Sequence, residues 1–236
     1  LTTLEEVDAV VAASSGPFVI KHPYGVAGRE RVLRRVPQEA LPESARGWCR
    51  RALEQAGVLV YEPWVEKVRE LGLQWWIPEV GAPYFLGAVT LLTEPNGAYR
   101  GHLLGALELP AALLRPAVAI VRRVQAEGYF GPLGIDAFEY RTLEGEVRFR
   151  PLVELNARIT MGMVALALEQ LLPPGGTATW LHLNARDGLS PELEAALRDE
   201  PYQARTLTGT LLTGPPMRDG LPAARVSVIT VREHLP

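Results

Sequence analysis

The chain has 236 residues and a mass of 25.8 kDa, 47% hydrophobic and 22% charged, enough to bury an ordinary core in one or two globular domains. Its 24 basic and 27 acidic side chains leave a formal charge of −3, without the basic excess that nucleic-acid binding needs, and no apolar run reaches the roughly 18 to 20 residues of a membrane span. A single cysteine, Cys49, excludes an internal disulfide and a cysteine-based zinc cluster, Asn-x-Ser/Thr sequons are absent, and the acidic stretch Leu1 to Asp8 is not the basic start of a signal peptide, so the composition predicts a cytoplasmic protein.

Only two of the basic residues are lysines, Lys21 and Lys67, so a lysine at a special place is informative. Leu4 to Ala13 repeats apolar residues at helical spacing, and Thr3 with Glu6 has the form of a capping box. After the Ser14-Ser15-Gly16-Pro17 break, Phe18-Val19-Ile20-Lys21 reads as a buried strand that delivers Lys21 at its end, with snorkelling to solvent as the alternative. The loop His22 to Arg29 leads to a returning strand over Arg31 to Val36, a helix over Pro42 to Gln55 that stops at Gly57, and a strand over Val58 to Tyr61. Glu62-Pro63-Trp64-Val65-Glu66 reads as a connector, since Pro63 lacks a ladder donor, and a lobe boundary is placed there. The two domains predicted are therefore 1–61 and 62–236.

The second lobe begins as antiparallel sheet, with strands over Leu71 to Ile77, Ala82 to Leu92 and Tyr99 to Leu104, the last after an Asn96-Gly97 turn. Pro110 to Gln125 is helical by its apolar spacing and closes at Gly128. Leu133 to Arg141 and Val147 to Asn156 flank a hairpin turn, and Met161 to Leu172, apolar on nearly every side, predicts a fully buried helix. A last helix is expected near Glu192 to Arg198, and strands over Leu207 to Thr213 and Val226 to Val231.

The chemistry concentrates in Pro151 to Arg158. Strand alternation puts Leu152, Glu154, Asn156 and Arg158 on one face, and three polar groups in a row are costly to bury without a partner. A solvated outer sheet face is the plain alternative. On the preceding strand, Asp136 faces Glu154 if the hairpin loop has three residues or carries a bulge, and points away if it is a two-residue turn. Opposed carboxylates are destabilising unless a divalent cation lies between them, and oxygen ligands without cysteine or histidine suit Mg²⁺ or Mn²⁺.

These residues resemble the ATP-grasp ligases. Gly134-Ile-Asp136-Ala-Phe through Val153-Glu154-Leu-Asn156-Ala-Arg158 looks like that family's metal-binding hairpin; Pro17 to Lys21 followed by Gly25-Val-Ala-Gly28-Arg29 looks like its strand, lysine and glycine-rich phosphate flap; Glu62-Pro-Trp-Val65 followed by Glu70 looks like its adenine hinge and ribose-binding acid. The three motifs stand in the family's order, although the flap has two glycines where the family often has four or five. The resemblance implies an α+β fold of two lobes with mainly antiparallel sheets closing over ATP. It implies nucleotide contacts from Lys21, Gly25, Gly28, Glu62, Val65 and Glu70, metal contacts from Asp136, Glu154 and Asn156, and Arg158 as the catalytic group.

The activity implied is ligation of a small-molecule carboxylate to an amine through an acyl phosphate, with Mg²⁺ and ATP as cofactors. An N-terminal domain usual in the family is not in this sequence, so a further domain or a partner chain is expected to complete the site. An ATP-binding module without ligase activity is the alternative function, and a structural β-rich scaffold a third. A plain turn accounts equally for Gly25 and Gly28, and local ion pairs for Glu62 and Glu70. Lys67 is read as solvated, Trp64, Trp75 and Trp76 as core or lobe-interface residues, and the four histidines as lacking metal-ligand spacing. Serine-hydrolase elbows, Gly-Lys-Ser/Thr phosphate loops and Gly-x-Gly-x-x-Gly motifs are absent.

Overall fold

The computed structural model describes residues 1–23, 31–35, 40–94, 97–105, 107–142, 144–184, 210–212, 217–218, 221–222 and 225–232. The chain divides into two compact units, Leu1–Glu66 with Arg141–Glu146, and Lys67–Tyr140 with Val147–Pro236.

In the first unit, helix α1 (Leu4–Ala13) starts where Thr3 Oγ1 accepts the Glu6 N–H at 3.2 Å. The Glu6 carboxylate reaches back to the Thr2 N–H, one residue earlier than a reciprocal capping box requires. Strands β1 (Phe18–Lys21) and β2 (Arg31–Arg34) pair antiparallel, helix α2 (Glu43–Ala56) ends on Gly57 at φ +71°, and β3 (Val60–Pro63) pairs with the other side of β1. Phe18, Ile20 and Leu59 are fully buried against Val7, Val11, Cys49 and Ala52 of the two helices.

The supposed connector is partly strand. β3 runs through Glu62 and Pro63 because it lies at the edge of the three-stranded sheet, where a missing donor is tolerated, and the Trp64 N–H continues the pairing onto the Pro17 carbonyl at 2.8 Å. The units consequently divide after Glu66 rather than after Tyr61.

The second unit is built on an eight-stranded sheet in the order β10-β13-β9-β6-β5-β4-β7-β8. Its strands are β4 (Glu66–Ile77), β5 (Tyr84–Thr93), β6 (Tyr99–Leu104), β7 (Gly131–Arg141), β8 (Val147–Asn156), β9 (Thr177–Asn184), β10 (Thr210–Leu212) and β13 (Arg225–Arg232). A separate short ribbon pairs β11 (Met217–Arg218) with β12 (Leu221–Pro222). Helix α3 (Ala111–Ala126) covers one sheet face, where Ala117 and Val121 pack on Leu71, Leu73, Leu133 and Ile135. Helix α4 (Met161–Glu169) lies on the other, where Ala165 meets Val89, Leu104, Ala178 and Trp180.

Two expectations fail here. Helix α4 is not fully buried: Gly162 and Ala165 are its buried positions, while Met161 and Val164 stay exposed, because a helix resting on one sheet face with small residues leaves its far side uncovered. Trp76 is exposed as well, whereas Trp75 beside it points into the α3-side core. The last helix expected near Glu192 to Arg198 lies outside the described residues.

Candidate functional site

In the second unit, β7 buries Ile135 and Ala137 against the α3 side, and alternation puts Asp136 between Gly134 and Phe138 on the opposite face. The Asp136 carboxyl is half-buried. Burial, then the charges of Glu154 and Glu70, push it up to about 7, against the opposing pull of Arg158 and Lys67. Three residues separate Thr142 from Glu146 at the hairpin tip, where the Thr142 N–H donates to the Glu146 carbonyl at 2.8 Å and Gly145 takes φ +87°. The loop has three residues, but in a regular ladder the Thr142–Glu146 pair sets Asp136 across from Leu152, with Glu154 the next residue on the same face rather than directly opposite.

At the end of β8, Glu154 is exposed and Asn156 is buried. Just past the strand, the chain turns so that the Arg158 N–H donates to the Asn156 carbonyl, and the Arg158 guanidinium donates to Asn156 Oδ1 at 2.8 Å. On β4, Glu70 accepts the Lys67 ammonium at 2.6 Å on one carboxylate oxygen and the Thr93 hydroxyl on the other. Lys67 also stands 5.5 Å from the centre of the Phe138 ring. Arg69 and Glu139 join β4 to β7 through two hydrogen bonds of 3.0 Å. The electrostatic field at Asp136 is thus made by two carboxylates and two cations drawn from β4, β8 and the turn after β8.

Lys67 is therefore not a solvated bystander. Its three-residue separation from Glu70 puts the two on opposite faces of a regular strand, so alternation hides a pair that a long flexible side chain makes. Further along the sheet, the Tyr99 hydroxyl bonds His102 Nδ1 at 2.8 Å, and burial with the nearby Asp136 charge raises the Tyr99 phenol. The His102 imidazole, 1% exposed, is lowered to about 4 by burial and by His182. Spacing in the sequence carries no sign of this cluster.

In the first unit, Lys21 at the end of β1 forms an ion pair with Glu62 on β3. Val65 is half-buried in the two-residue link before β4. Gly25 and Gly28 lie outside the described residues.

Among the described residues no three His, Cys, Asp or Glu side chains converge into a ready metal cage. Asp136, Glu154 and Asn156 would supply two carboxylates and an amide, an incomplete shell of the kind that Mg²⁺ fills with water and phosphate oxygens. The fit to a divalent cation rests on the repulsion itself: Glu154 and Glu70 both push the Asp136 carboxyl upward, and a cation would reverse that push.

A two-unit chain with an eight-stranded, mainly antiparallel sheet and helices on both faces has the ATP-grasp fold. Solved structures sharing it include the biotin carboxylase domain of 2-oxoglutarate carboxylase from Hydrogenobacter thermophilus, solved with MgADP, ADP and bicarbonate (TM-score 0.62, 15% identity, 98% of this chain and 56% of that one). Biotin carboxylase from Campylobacter jejuni (TM-score 0.59, 13% identity, 99% and 57%) and N5-carboxyaminoimidazole ribonucleotide synthetase from Thermus thermophilus (TM-score 0.58, 18% identity, 98% and 61%) share it too. The chain spans well under two thirds of the length of each. No protein-family model matches the sequence, and no curated protein is recognisably similar to it. No helix among the described residues is long and apolar enough to cross a membrane.

Proposed function

We propose that this chain is the nucleotide-binding part of an ATP-dependent ligase that activates a small-molecule carboxylate as an acyl phosphate for attack by an amine. The observation that carries the reading is the set of charges at Asp136, raised by Glu154 and Glu70 and opposed by Arg158 and Lys67, on a fold whose solved members include enzymes crystallised with MgADP.

In this reading Asp136, Glu154 and Asn156 hold Mg²⁺, or Mn²⁺, which when bound neutralises the phosphate oxygens of ATP. Lys21 meets the phosphates, with Gly25 and Gly28 of the flap. Glu62 and Val65 meet the adenine, and Glu70 the ribose. A substrate carboxylate oxygen attacks the γ-phosphorus, the bond to the bridging oxygen breaks, and ADP leaves with that electron pair. The amine nitrogen then attacks the acyl carbon, inorganic phosphate leaves, and the amine gives up a proton. Arg158, with a planar fork of donors, steadies the oxygens of the transferring phosphoryl group and of the acyl phosphate. For that it must leave the Asn156 oxygen it holds in this structure. The carboxylate and the amine are contacted in part by a further domain or a partner chain.

A second reading is a nucleotide-binding module that has no ligase activity unless such a domain is supplied. It is supported by the coverage of 56 to 61% of the solved chains. Calorimetric titration with ATP, with and without Mg²⁺, tests the site that both readings share, beside a Glu154→Ala, Asn156→Ala double variant. Magnesium-dependent binding that disappears in the variant is expected; equal binding in the two proteins overturns the assignment. ADP release that depends on an added carboxylate then separates ligase from module.

A further inference from the structure

Gln74 stands in the middle of β4, 2% exposed, on the sheet face opposite Leu73 and Trp75. An amide buried there is costly unless it is hydrogen-bonded, and an aliphatic side chain would fill the position at less cost. Three glycines make its room. A Cβ added at Gly162 would lie 2.3 Å from Gln74 Nε2, one at Gly72 would lie 2.9 Å from the same nitrogen, and one at Gly134 would lie 3.3 Å from Oε1 and 2.5 Å from the Thr160 methyl. A side chain at Gly162 or Gly72 would therefore displace the Gln74 amide, and one at Gly134 would displace the Thr160 methyl beside it. The glycines come from β4, β7 and α4.

What the amide holds is Thr160, whose hydroxyl donates to Gln74 Oε1 at 2.6 Å. The same hydroxyl accepts the Met163 N–H at 3.3 Å and so caps α4. Thr160 follows Arg158 by two residues, and Gly134 precedes Asp136 by two. Gln74 therefore stands between the segment that carries Arg158 and the strand that carries Asp136.

Resting on the ligase reading above for what Arg158 does, we infer that Gln74 is a positioning residue: its buried amide, seated among Gly72, Gly134 and Gly162, fixes the turn from Asn156 to Thr160 and thereby the place from which the Arg158 guanidinium acts. Gln74 touches no reacting atom in this account. Its effect passes through Thr160 to the backbone of the turn.

Two variants remove the contact from either side. Gln74→Leu deletes the acceptor and leaves the helix cap, Thr160→Val deletes the donor and the cap together, and Thr160→Ser keeps both. Amide hydrogen exchange over residues 157–163 reads the turn directly, and calorimetry reads MgATP binding. Gln74→Leu should exchange about tenfold faster in that segment alone, the size expected for one lost buried hydrogen bond, and Thr160→Val, which loses the cap as well, faster still, while Thr160→Ser behaves as the unaltered chain. MgATP binding should weaken by a similar factor, and the loss should not add to that of Arg158→Ala in the combined variant.

Unchanged exchange in 157–163 overturns the inference, as does faster exchange spread evenly over β8 and α4, or full additivity with Arg158→Ala. An unaltered chain that binds no MgATP would sink the ligase reading instead, and the exchange measurement would still decide whether Gln74 fixes the turn.

Discussion

The Arg158 guanidinium holds Asn156 Oδ1 at 2.8 Å, so the side chain proposed to act on phosphoryl oxygens is bonded to an oxygen proposed for the metal. A cation and a guanidinium compete for the same lone pairs, and the positive charge of Arg158 also opposes cation binding at Asp136. Arg158→Ala should accordingly strengthen binding of Mg²⁺ or Mn²⁺ alone by several-fold, a modest effect because Arg158 is exposed, while weakening MgATP binding by about tenfold or more. Titration of the variant with Mn²⁺ alone and then with nucleotide checks both signs. Weaker binding of the free metal would contradict the competition.

Proton and metal should compete at Asp136. With its carboxyl at about 7, protonation blocks the site in mild acid, so Mg²⁺ affinity should rise about tenfold per pH unit up to 7 and level off above it. The stability of the metal-free chain follows the opposite course: a carboxyl raised from 3.8 stabilises the fold below the unfolded value and loses that contribution as pH climbs through 7. Asp136→Asn should raise the metal-free melting temperature at pH 8 by a few degrees and flatten the pH dependence of the metal affinity. Melting curves with and without Mg²⁺ between pH 5 and 8 measure both; a variant that melts lower than the unaltered chain at pH 8 without metal would contradict the repulsion.

Much of this arrangement is legible in the sequence wherever the controlling forces are local. Helix α1 and strands β6 and β8 have the predicted ends, because apolar periodicity, the Thr3 cap and the turns before Tyr99 and Val147 are all carried by neighbouring residues. The polar row on β8 is legible for the same reason, since alternation alone lines up Glu154 and Asn156. What alternation cannot show is tertiary. The exposed side of α4 depends on there being one sheet face to rest on, the Lys67 pair crosses strand parity, and the three glycines around Gln74 come from elements up to 90 residues apart in sequence. The strand through Pro63 follows from an edge position that pattern reading does not reveal.

Lys21 and Glu62, both assigned to nucleotide by resemblance, are paired with each other across β1 and β3. Both side chains are only partly buried, so the pair contributes at most about 1 kcal/mol to stability. Lys21→Met should leave the melting temperature nearly unchanged and weaken MgATP binding about tenfold or more through loss of a phosphate contact. A variant that loses stability while keeping its nucleotide affinity would show Lys21 to be a structural partner of Glu62.

His102 sets a limit on acid stability that is independent of nucleotide. Its imidazole is buried neutral, lowered from 6.5 to about 4, with Nδ1 bonded to the Tyr99 hydroxyl. For a group with a depressed folded value, the unfolded chain binds the extra proton first. The contribution of His102 is therefore intact above 6.5 and is lost as pH falls toward 4, by about 3 kcal/mol in all. Asp136 works in the other direction over part of the same range, so the unaltered chain alone cannot separate the two. His102→Leu gives up the bond to Tyr99 and starts less stable at neutral pH, but the stability difference between it and the unaltered chain should shrink as pH drops from 7 to 4.5. Urea unfolding of the two proteins side by side measures that difference, and a gap that stays constant across the range would mean that His102 is protonated in the folded state as readily as in the unfolded one.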